Sequence, residues 1–435
     1  MDKEKHNQQE KFIKDQHENQ PKERLVVKNF FSLKDIDIEL ARFNVFIGEQ
    51  ASGKSLLMKL VYFFRSILCL PIIGYQIDHH QISKHIYEQF SQIFRISNID
   101  RNFKVDYLFN QQFKITIDSI DHQIRITYSE YLEQIYECSR ANLTKIYSQL
   151  PEQFRDGFTM KVNISHELSN QKLPVDRPEL FIPGGRTFLV ALQTNIFALL
   201  DQNTLNKDGL VLDSLFTSFA QKYQLALKEF GMDSVGLPEH TQRRWEQFQV
   251  IHQQPWFEDK SKDILKGRYV YDDLGGFIQQ SSGDVRPWNA STGQQEFLPI
   301  YLTLHNILYK NRAIPWGGLY IEEPEAHLYP SAQKDILELL VFTANIIKSD
   351  SLCIATHSPY ILTVLNNLMI ANDVKEKQTD FNSELLVNFD EVRAYMINGS
   401  QKNLMDSEYR IIDADQLDEV SETISNEFSK MVELL

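Results

Sequence analysis

The segment that decides the fold is FNVFIGEQASGKS, Phe43 to Ser55. Its first five residues are nearly all apolar, which is typical of a strand buried on both faces of a sheet. The next eight, Gly48-Glu49-Gln50-Ala51-Ser52-Gly53-Lys54-Ser55, fit the pattern G-x-x-x-x-G-K-[ST]. Glycines let the backbone wrap around phosphate groups with its N–H groups pointing inward, and a following helix adds its positive dipole end. Because a helix is predicted from about residue 55 to 70, the segment predicts a phosphate-binding loop (P-loop).

The last two residues of this loop have separate chemical tasks. In such loops the lysine, here Lys54, reaches the β- and γ-phosphates of a nucleotide, and the hydroxyl group of Ser55 ligates Mg²⁺. The sequence therefore predicts a nucleotide site over Gly48 to Ser55, with Ser55 also as a metal ligand. The alternative is a glycine-rich turn without a ligand.

A second apolar segment, Leu319-Tyr320-Ile321-Glu322-Glu323, ends in two carboxylates. In P-loop enzymes a strand beside the P-loop strand presents an acid to Mg²⁺ and a base to the attacking water. Successive strand residues point to opposite faces, so one acid can face the metal while the next faces the water. We expect the first role for Glu322 and the second for Glu323. The alternative is a solvated pair of acids at the end of a strand.

Two further segments are ambiguous when taken alone. Ser291-Thr292-Gly293-Gln294-Gln295 begins a predicted helix and fits either an anion site or a simple N-cap. Leu352 to Thr356 predicts a buried strand followed by His357. The carboxyl end of such a strand is where α/β folds place ligands, whereas the alternative is a capping turn with an incidental histidine.

In this order, the four segments resemble the motifs of the ATP-binding cassette (ABC) ATPases of the RecF/SMC branch. NFFSLKDIDIEL, residues 29–40, is similar to the hairpin that opens that branch. The resemblance covers roughly residues 24–70 and 262–435, and extends to stand-alone bacterial AAA-type proteins related to the ATPase half of OLD nucleases. Many of these belong to anti-phage defence systems such as Septu and PARIS. The resemblance implies an α/β fold, that of a P-loop NTPase of the ABC/RecF–SMC type. It also implies a large mixed helical and β insertion between the P-loop and the signature motif.

The resemblance also implies ATP and Mg²⁺ as cofactors and a role for each motif. Glu322, where the family usually has aspartate, would ligate Mg²⁺. Glu323 would be the catalytic base, and His357 the switch histidine that supports the transferred phosphoryl group. The signature residues would close over the ATP of a second protomer and are Ser291, Gly293 and Gln294.

No clear Q-loop is present in the sequence. In its place, Arg186 in the segment IPGGR is a candidate to face the nucleotide or the partner lobe. A structural ion pair is the open alternative.

The expected domain organisation follows the placement of these motifs. We expect a disordered polar tail over residues 1–23 and the N-terminal part of the ATPase lobe over 24–70. Residues 71–261 are expected to form a mixed insertion or regulatory region. Within it we expect a short meander of strands, helices near 131–150, 187–230 and 238–255, and a strand near 159–165. Residues 262–435 would hold the C-terminal part of the lobe, with the signature, the acidic strand and the histidine. A hairpin around Asn398-Gly399, a dipeptide suited to a type I′ turn, and a final helix over about 415–433 would follow.

The composition bounds the class of protein. The 435 residues are 42% hydrophobic and 24% charged with a net charge of −14, which excludes a fully disordered chain and makes non-specific nucleic-acid binding unfavourable. Three cysteines, Cys69, Cys138 and Cys353, have no metal-ligand spacing and predict free thiols in a reducing cytoplasm. The apolar stretch from Leu56 to Tyr75 is interrupted by charges and Pro71, so no membrane partner is expected.

Together these features predict an ATP hydrolase that dimerises head to tail around Mg-ATP. The dimer would control an effector, with a nuclease as the first candidate, in DNA repair or anti-phage defence. A RecF/SMC-like protein that acts directly on DNA ends is the alternative, although no basic run favours it. A transporter ATPase fits less well, because 236 residues separate Ser55 from Ser291. A self-contained OLD-type nuclease would need a further acidic domain after His357.

Overall fold

A computed structural model describes residues 23–68, 79–96, 102–109, 112–121, 123–134, 177–191, 213–234, 255–272, 275–310, 316–377 and 381–413. The strands are β1 Arg24–Phe30, β2 Leu33–Glu39, β3 Phe43–Ile47, β4 Phe103–Leu108, β5 Lys114–Ile120, β6 Gln123–Tyr128, β7 Glu179–Ile182, β8 Arg268–Asp272, β9 Gly275–Gln280, β10 Gly283–Val285, β11 Gly318–Glu322, β12 Ser351–Thr356, β13 Val392–Ile397, β14 Gln401–Asn403, β15 Met405–Asp406 and β16 Ile411–Ile412. The α-helices are α1 Lys54–Leu68, α2 His79–Phe94, α3 Thr187–Ala191, α4 Ser214–Ser234, α5 Pro255–Leu265, α6 Thr292–Lys310, α7 Pro330–Ile346 and α8 Pro359–Val374. Short 3₁₀ helices cover Pro287–Asn289, Ser383–Leu385 and Phe389–Glu391.

The site is built on a six-stranded sheet with the order β14-β13-β3-β12-β11-β7. All neighbouring strands run parallel except the β13–β14 hairpin. Strand β3 is buried along its whole length, with Val45 in one apolar core and Phe46 in the other. Helices therefore cover both faces of the sheet, and the predicted α/β P-loop fold is confirmed.

A second, antiparallel sheet has the order β2-β1-β4-β5-β6. Strands β1 and β2 are the predicted opening hairpin, and β4 to β6 are the predicted meander. The meander and β7 lie within residues 71–261, which the sequence analysis assigns to an insertion. They nevertheless complete the two sheets of the ATPase lobe, because their alternating or apolar strands pair with β1 and β11. The expected boundary at residue 71 is therefore not a boundary between sheets.

The order of the central strands differs from the expectation. The acidic strand was expected beside the P-loop strand, and this expectation is wrong, because β12 lies between β3 and β11. Strands β11 and β12 are both apolar on both faces. Their sequences therefore predict burial in a sheet but do not determine which of them pairs with β3.

The hairpin near the end of the described chain is confirmed, but its turn is not of type I′. Strands β13 and β14 pair antiparallel with Ile397 opposite Gln401. Of the two turn residues, Gly399 has a left-handed φ of +70° and Asn398 does not, whereas a type I′ turn needs positive φ at both central residues. The loop between the paired residues Ile397 and Gln401 has three residues, and in it the Gly399 carbonyl accepts the N–H of Lys34 at 2.7 Å.

Several expectations fall on residues that the structure does not describe. The polar tail apart from its last residue, the strand near 159–165 and the helix near 415–433 lie outside the described residues. So do most of the helices predicted near 131–150 and 238–255 and the middle of the helix predicted over 187–230. Cys69 and Cys138 also lie outside. Cys353 is a free, buried thiol, and burial raises its pKa to about 11. Within the described residues, no helix combines the length and apolar character that crossing a membrane requires.

Candidate functional site

The P-loop, Gly48 to Ser55, connects β3 to α1 and is held between two distant parts of the chain. Gly48 has a φ of +154°, and a Cβ atom there would lie 2.3 Å from the carbonyl oxygen of Ile397 in β13. Gly53 has a φ of +102°, and its Cβ would lie 2.6 Å from a methyl group of Leu33 in β2. Only glycine fits at these two positions, since both the backbone conformation and the neighbouring atoms exclude a side chain.

Lys54 is buried and lies inside the loop. Its ammonium group donates to the carbonyls of Gly48 at 2.9 Å and Glu49 at 2.6 Å, and lies 3.4 Å from the Ser52 hydroxyl. Burial lowers the pKa of Lys54 below its ordinary value, while the charges of nearby carboxylates oppose the shift. The loop thus presents a cation at its centre, with the side chains of Glu49, Gln50, Ala51 and Ser55 exposed.

Glu322 ends β11 with its carboxylate oriented towards the loop that follows β7. Its Oε2 atom accepts the N–H of Gly184 at 3.0 Å. Its other oxygen, Oε1, is buried and has no hydrogen-bond partner among the described residues. A buried carboxylate oxygen without a partner is unfavourable unless a cation or donor binds it, so Glu322 has the chemistry of a metal ligand.

Glu323 and His357 meet at the carboxyl ends of β11 and β12. Glu323 has a left-handed φ of +42°, and its N–H donates to the carbonyl of Ala355 at 2.7 Å. Its Oε1 atom lies 3.4 Å from Nε2 of His357. The unusual backbone turn therefore aims the carboxylate of Glu323 away from β11 and towards the histidine.

Glu325 is a site residue that the sequence analysis did not identify. This buried carboxylate accepts the Thr356 hydroxyl at 2.6 Å and the His357 N–H at 2.8 Å through Oε1. It therefore fixes the end of β12 and the backbone of His357. The signal was a third acid two residues beyond Glu323, but its partners lie on another strand and only the fold brings them together.

The signature segment forms the N-terminus of α6 and is stabilised by its own side chains. Gln294 Oε1 accepts both the N–H and the hydroxyl of Ser291, at 3.0 and 2.9 Å. A Cβ atom on Gly293 would lie 2.7 Å from the His327 carbonyl, so this glycine permits close packing on the segment after β11. Ser291 and Thr292 are exposed, which leaves the N-terminus of α6 accessible to another molecule.

Arg186 forms a buried ion pair, which is the alternative that its sequence context left open. Its side chain has no exposed surface, and its Nε lies 3.1 Å from Glu296 Oε2 in α6. The guanidinium also donates to the carbonyls of Pro183, Glu322 and Glu323 at 2.7, 2.7 and 2.9 Å. Arg186 thus connects the loop after β7, the end of β11 and the signature helix.

Comparison with known proteins gives a family for most of the chain. A family described as "AAA domain, putative AbiEii toxin, Type IV TA system" has a model that matches residues 43–363. This range begins at β3 and ends within α8, so it contains the P-loop, the signature segment, both strand ends and the carboxylates. No curated protein matches the chain in sequence.

Several solved structures are similar to the chain, at low sequence identity and with TM-scores below 0.5. An SMC head bound to the C-winged helix domain of ScpA has 11% identity over 89% of this chain and 99% of its own, with a TM-score of 0.43. The recombination mediator RecF has 12% identity over 88% and 99%, with a TM-score of 0.33. A dimeric bacterial ABC transporter cassette has 10% identity over 87% and 96%, with a TM-score of 0.32.

Proposed function

The chain belongs to this family of AAA domains, and on that basis we propose that it is an ATP hydrolase that uses Mg²⁺ and dimerises head to tail around two ATP molecules. Its membership confirms the P-loop ATPase class that the motifs predict. The single observation that supports hydrolysis best is the pairing of Glu323 with His357 at the end of the sheet that also carries the P-loop.

The residues present fit a magnesium ion. Ser55 offers an exposed hydroxyl at the start of α1, and Glu322 offers a buried carboxylate oxygen without a partner among the described residues. Hydroxyl and carboxylate oxygens are the ligands that Mg²⁺ prefers. When bound, the ion would neutralise charge on the β- and γ-phosphates.

The remaining chemistry falls to side chains of the chain itself. Lys54 supplies a positive charge to the phosphates from inside the P-loop. Glu323 accepts a proton from the attacking water, and His357, whose backbone Glu325 fixes, donates a hydrogen bond to the transferred phosphoryl group. Positioning and charge stabilisation thus account for the rate, as in other phosphoryl transfers.

A second copy of the chain would complete each site. Ser291 is exposed at the N-terminus of α6, where backbone N–H groups and the helix dipole favour an anion. In a twofold arrangement each protomer places Ser291, Gly293 and Gln294 against the ATP of its partner. We further propose that ATP binding closes this clamp, and that hydrolysis opens it.

The clamp would act on a partner rather than on the nucleotide alone. We propose that the part of residues 71–261 outside the two sheets is regulatory and contacts an effector protein, in first place a nuclease. Anti-phage defence or DNA repair in the cytoplasm is the setting we propose.

The experiment that tests this function is the Glu323→Gln variant. Gln keeps the shape of the side chain, so Mg-ATP still binds, but the base is lost and hydrolysis falls about 10²–10⁴-fold. ATP-bound dimers then accumulate, and light scattering with Mg-ATP should give twice the monomer mass. Adding Ser291→Arg should restore the monomer, because a bulky cation replaces the small hydroxyl that faces the partner.

Glu322→Gln is the matched control at the neighbouring position. It keeps the base but removes the metal ligand, so it should weaken binding of Mg-ATP rather than trap a dimer. Normal hydrolysis by Glu323→Gln would refute the assignment of the base. An inactive Glu323→Gln variant that stays monomeric with Mg-ATP would refute the head-to-tail clamp.

A further inference from the structure

Arg186 is the one fully buried arginine in the described core around the candidate site, and its hydrogen bonds and ion pair join it to residues outside the P-loop. Apart from the carbonyl of Pro183 in its own loop, its partners fall into two groups. One group is the backbone that carries the two acids, since the guanidinium donates to the carbonyls of Glu322 and Glu323. The other is Glu296 in α6, whose carboxylate also accepts the backbone N–H groups of Arg186 and Thr187, both at 3.2 Å.

These two groups belong to different parts of the proposed mechanism. Glu296 lies five residues after Ser291 on the helix that begins with the signature segment. Glu322 and Glu323 are the metal ligand and the base of the same protomer. One planar side chain therefore joins the helix that faces the partner's ATP to the backbone that aims the acids at the protomer's own ATP.

The contact is stiff for a physical reason. Both charges are removed from water, and separation of the pair would leave an uncompensated buried charge, which is strongly unfavourable. The guanidinium is a rigid fork that cannot satisfy these acceptors in a second orientation as lysine could. A shift of α6 is thus transmitted to the end of β11 rather than absorbed by a loose contact.

We propose that Arg186 and Glu296 are positioning residues that couple the two ATP sites of the dimer. When the signature segment of one protomer closes on the partner's ATP, α6 moves as a unit. The Glu296–Arg186 pair then brings Glu322 and Glu323 of that same protomer into their hydrolytic positions. This inference rests on the proposed head-to-tail function, and it makes hydrolysis at one site depend on ATP at the other.

The test is the rate of hydrolysis against ATP concentration for Glu296→Gln. Gln keeps the size of the side chain but loses the charge, and its amide group cannot accept N–H groups on both arms. We expect the Hill coefficient to fall from about 2 towards about 1, the value for independent sites. Maximal turnover should fall about tenfold, since the acids lose their positioning. Mg-ATP should still produce the dimer in light scattering.

Glu258→Gln is the matched control. Glu258 is a carboxylate on α5 that also contacts α6, accepting the hydroxyl of Tyr301 at 2.9 Å, but among the described residues it makes no hydrogen bond or ion pair with β11. It should keep the cooperative curve of the wild type. Equal loss of cooperativity in both variants would overturn the inference in favour of general packing of α6, and so would an unchanged Hill coefficient in Glu296→Gln. A wild type that stays monomeric with Mg-ATP would instead refute the proposed function.

Arg186→Lys and hydrogen exchange keep the inference testable if Glu296→Gln folds poorly. Lysine keeps the charge without the fork, so this variant should lose cooperativity while retaining Mg-ATP binding. In the wild type, the amide of Thr187 reports directly on the carboxylate of Glu296. Mg-ATP should slow its exchange about tenfold in the wild type but not in Ser291→Arg, which binds ATP without a partner. Equal protection in both proteins would overturn the coupling.

Discussion

Replacing Glu179 by Gln should remove part of the pH dependence of the free energy of unfolding, and the structure gives the size of this effect. Glu179 begins β7, and its carboxylate packs against the backbone of Gly317 and Gly318. The residue is half-buried, but its Oε2 atom is shielded from solvent. Burial, only partly offset by the charge of Arg65, raises the pKa of Glu179 from 4.5 to about 7.

The sign of the effect follows from proton linkage. Between pH 4.5 and about 7 the folded protein holds a proton on Glu179 that the unfolded chain has released. The free energy of unfolding therefore falls as the pH rises through this window. Each pKa unit corresponds to about 1.4 kcal/mol. Release of this proton on unfolding therefore lowers the free energy of unfolding by about 2 kcal/mol between pH 5 and 7.5. Gln resembles the protonated acid and does not ionise, so the variant lacks this loss.

The assay is urea unfolding of wild type and Glu179→Gln at pH 5 and pH 7.5. The stabilisation of the variant over the wild type should be about 2 kcal/mol larger at the higher pH. Measurements stop at pH 7.5 because burial lowers the pKa of neighbouring Lys222 to about 8, and its deprotonation would enter above that pH. Glu408→Gln, at an exposed position, should leave the wild-type profile unchanged. A parallel profile for Glu179→Gln would refute the reasoning.

The other predictions concern Lys54, Glu325 and the buried thiol of Cys353. Lys54→Ala should weaken Mg-ATP binding tenfold or more in calorimetry, because each lost charge-assisted hydrogen bond contributes about 1.5–3 kcal/mol, and an unchanged affinity would remove the nucleotide site. Glu325→Gln should lower turnover about tenfold with ATP affinity retained, since an amide holds the backbone of His357 less firmly than a carboxylate; equal turnover would show that Glu325 is dispensable. Cys353 should react with a maleimide at pH 8 only after unfolding, as peptide mapping would reveal, and rapid labelling of the native protein would contradict its burial.

The elements around the P-loop could be predicted because their signals are local. An apolar strand, two glycines, Lys54 and an apolar helix follow one another within 26 residues, from Phe43 to Leu68, and each part fixes its own conformation. The same holds for the hairpins and for the strands that end in Glu322 and Thr356.

What could not be predicted depends on which elements become neighbours. The position of β12 between β3 and β11 is not encoded in any one strand, since all three are apolar on both faces. Arg186 was ambiguous for the same reason, because its partners Glu296 and Glu322 lie more than 100 positions away in the sequence. Glu325 was missed because its role depends on the backbone of the neighbouring strand.

The packing of the P-loop against the β13–β14 hairpin has a consequence for biosynthesis. Gly48 lies against the carbonyl of Ile397, and the N–H of Gly399 donates to the Ser52 carbonyl at 3.3 Å. At about 5–20 residues per second, a ribosome needs roughly 20 to 70 seconds to travel from residue 48 to residue 397. During that interval the nascent loop lacks one of its walls. The protein therefore gains a finished phosphate cradle only late in translation, and a truncated chain that ends before β13 emerges without one.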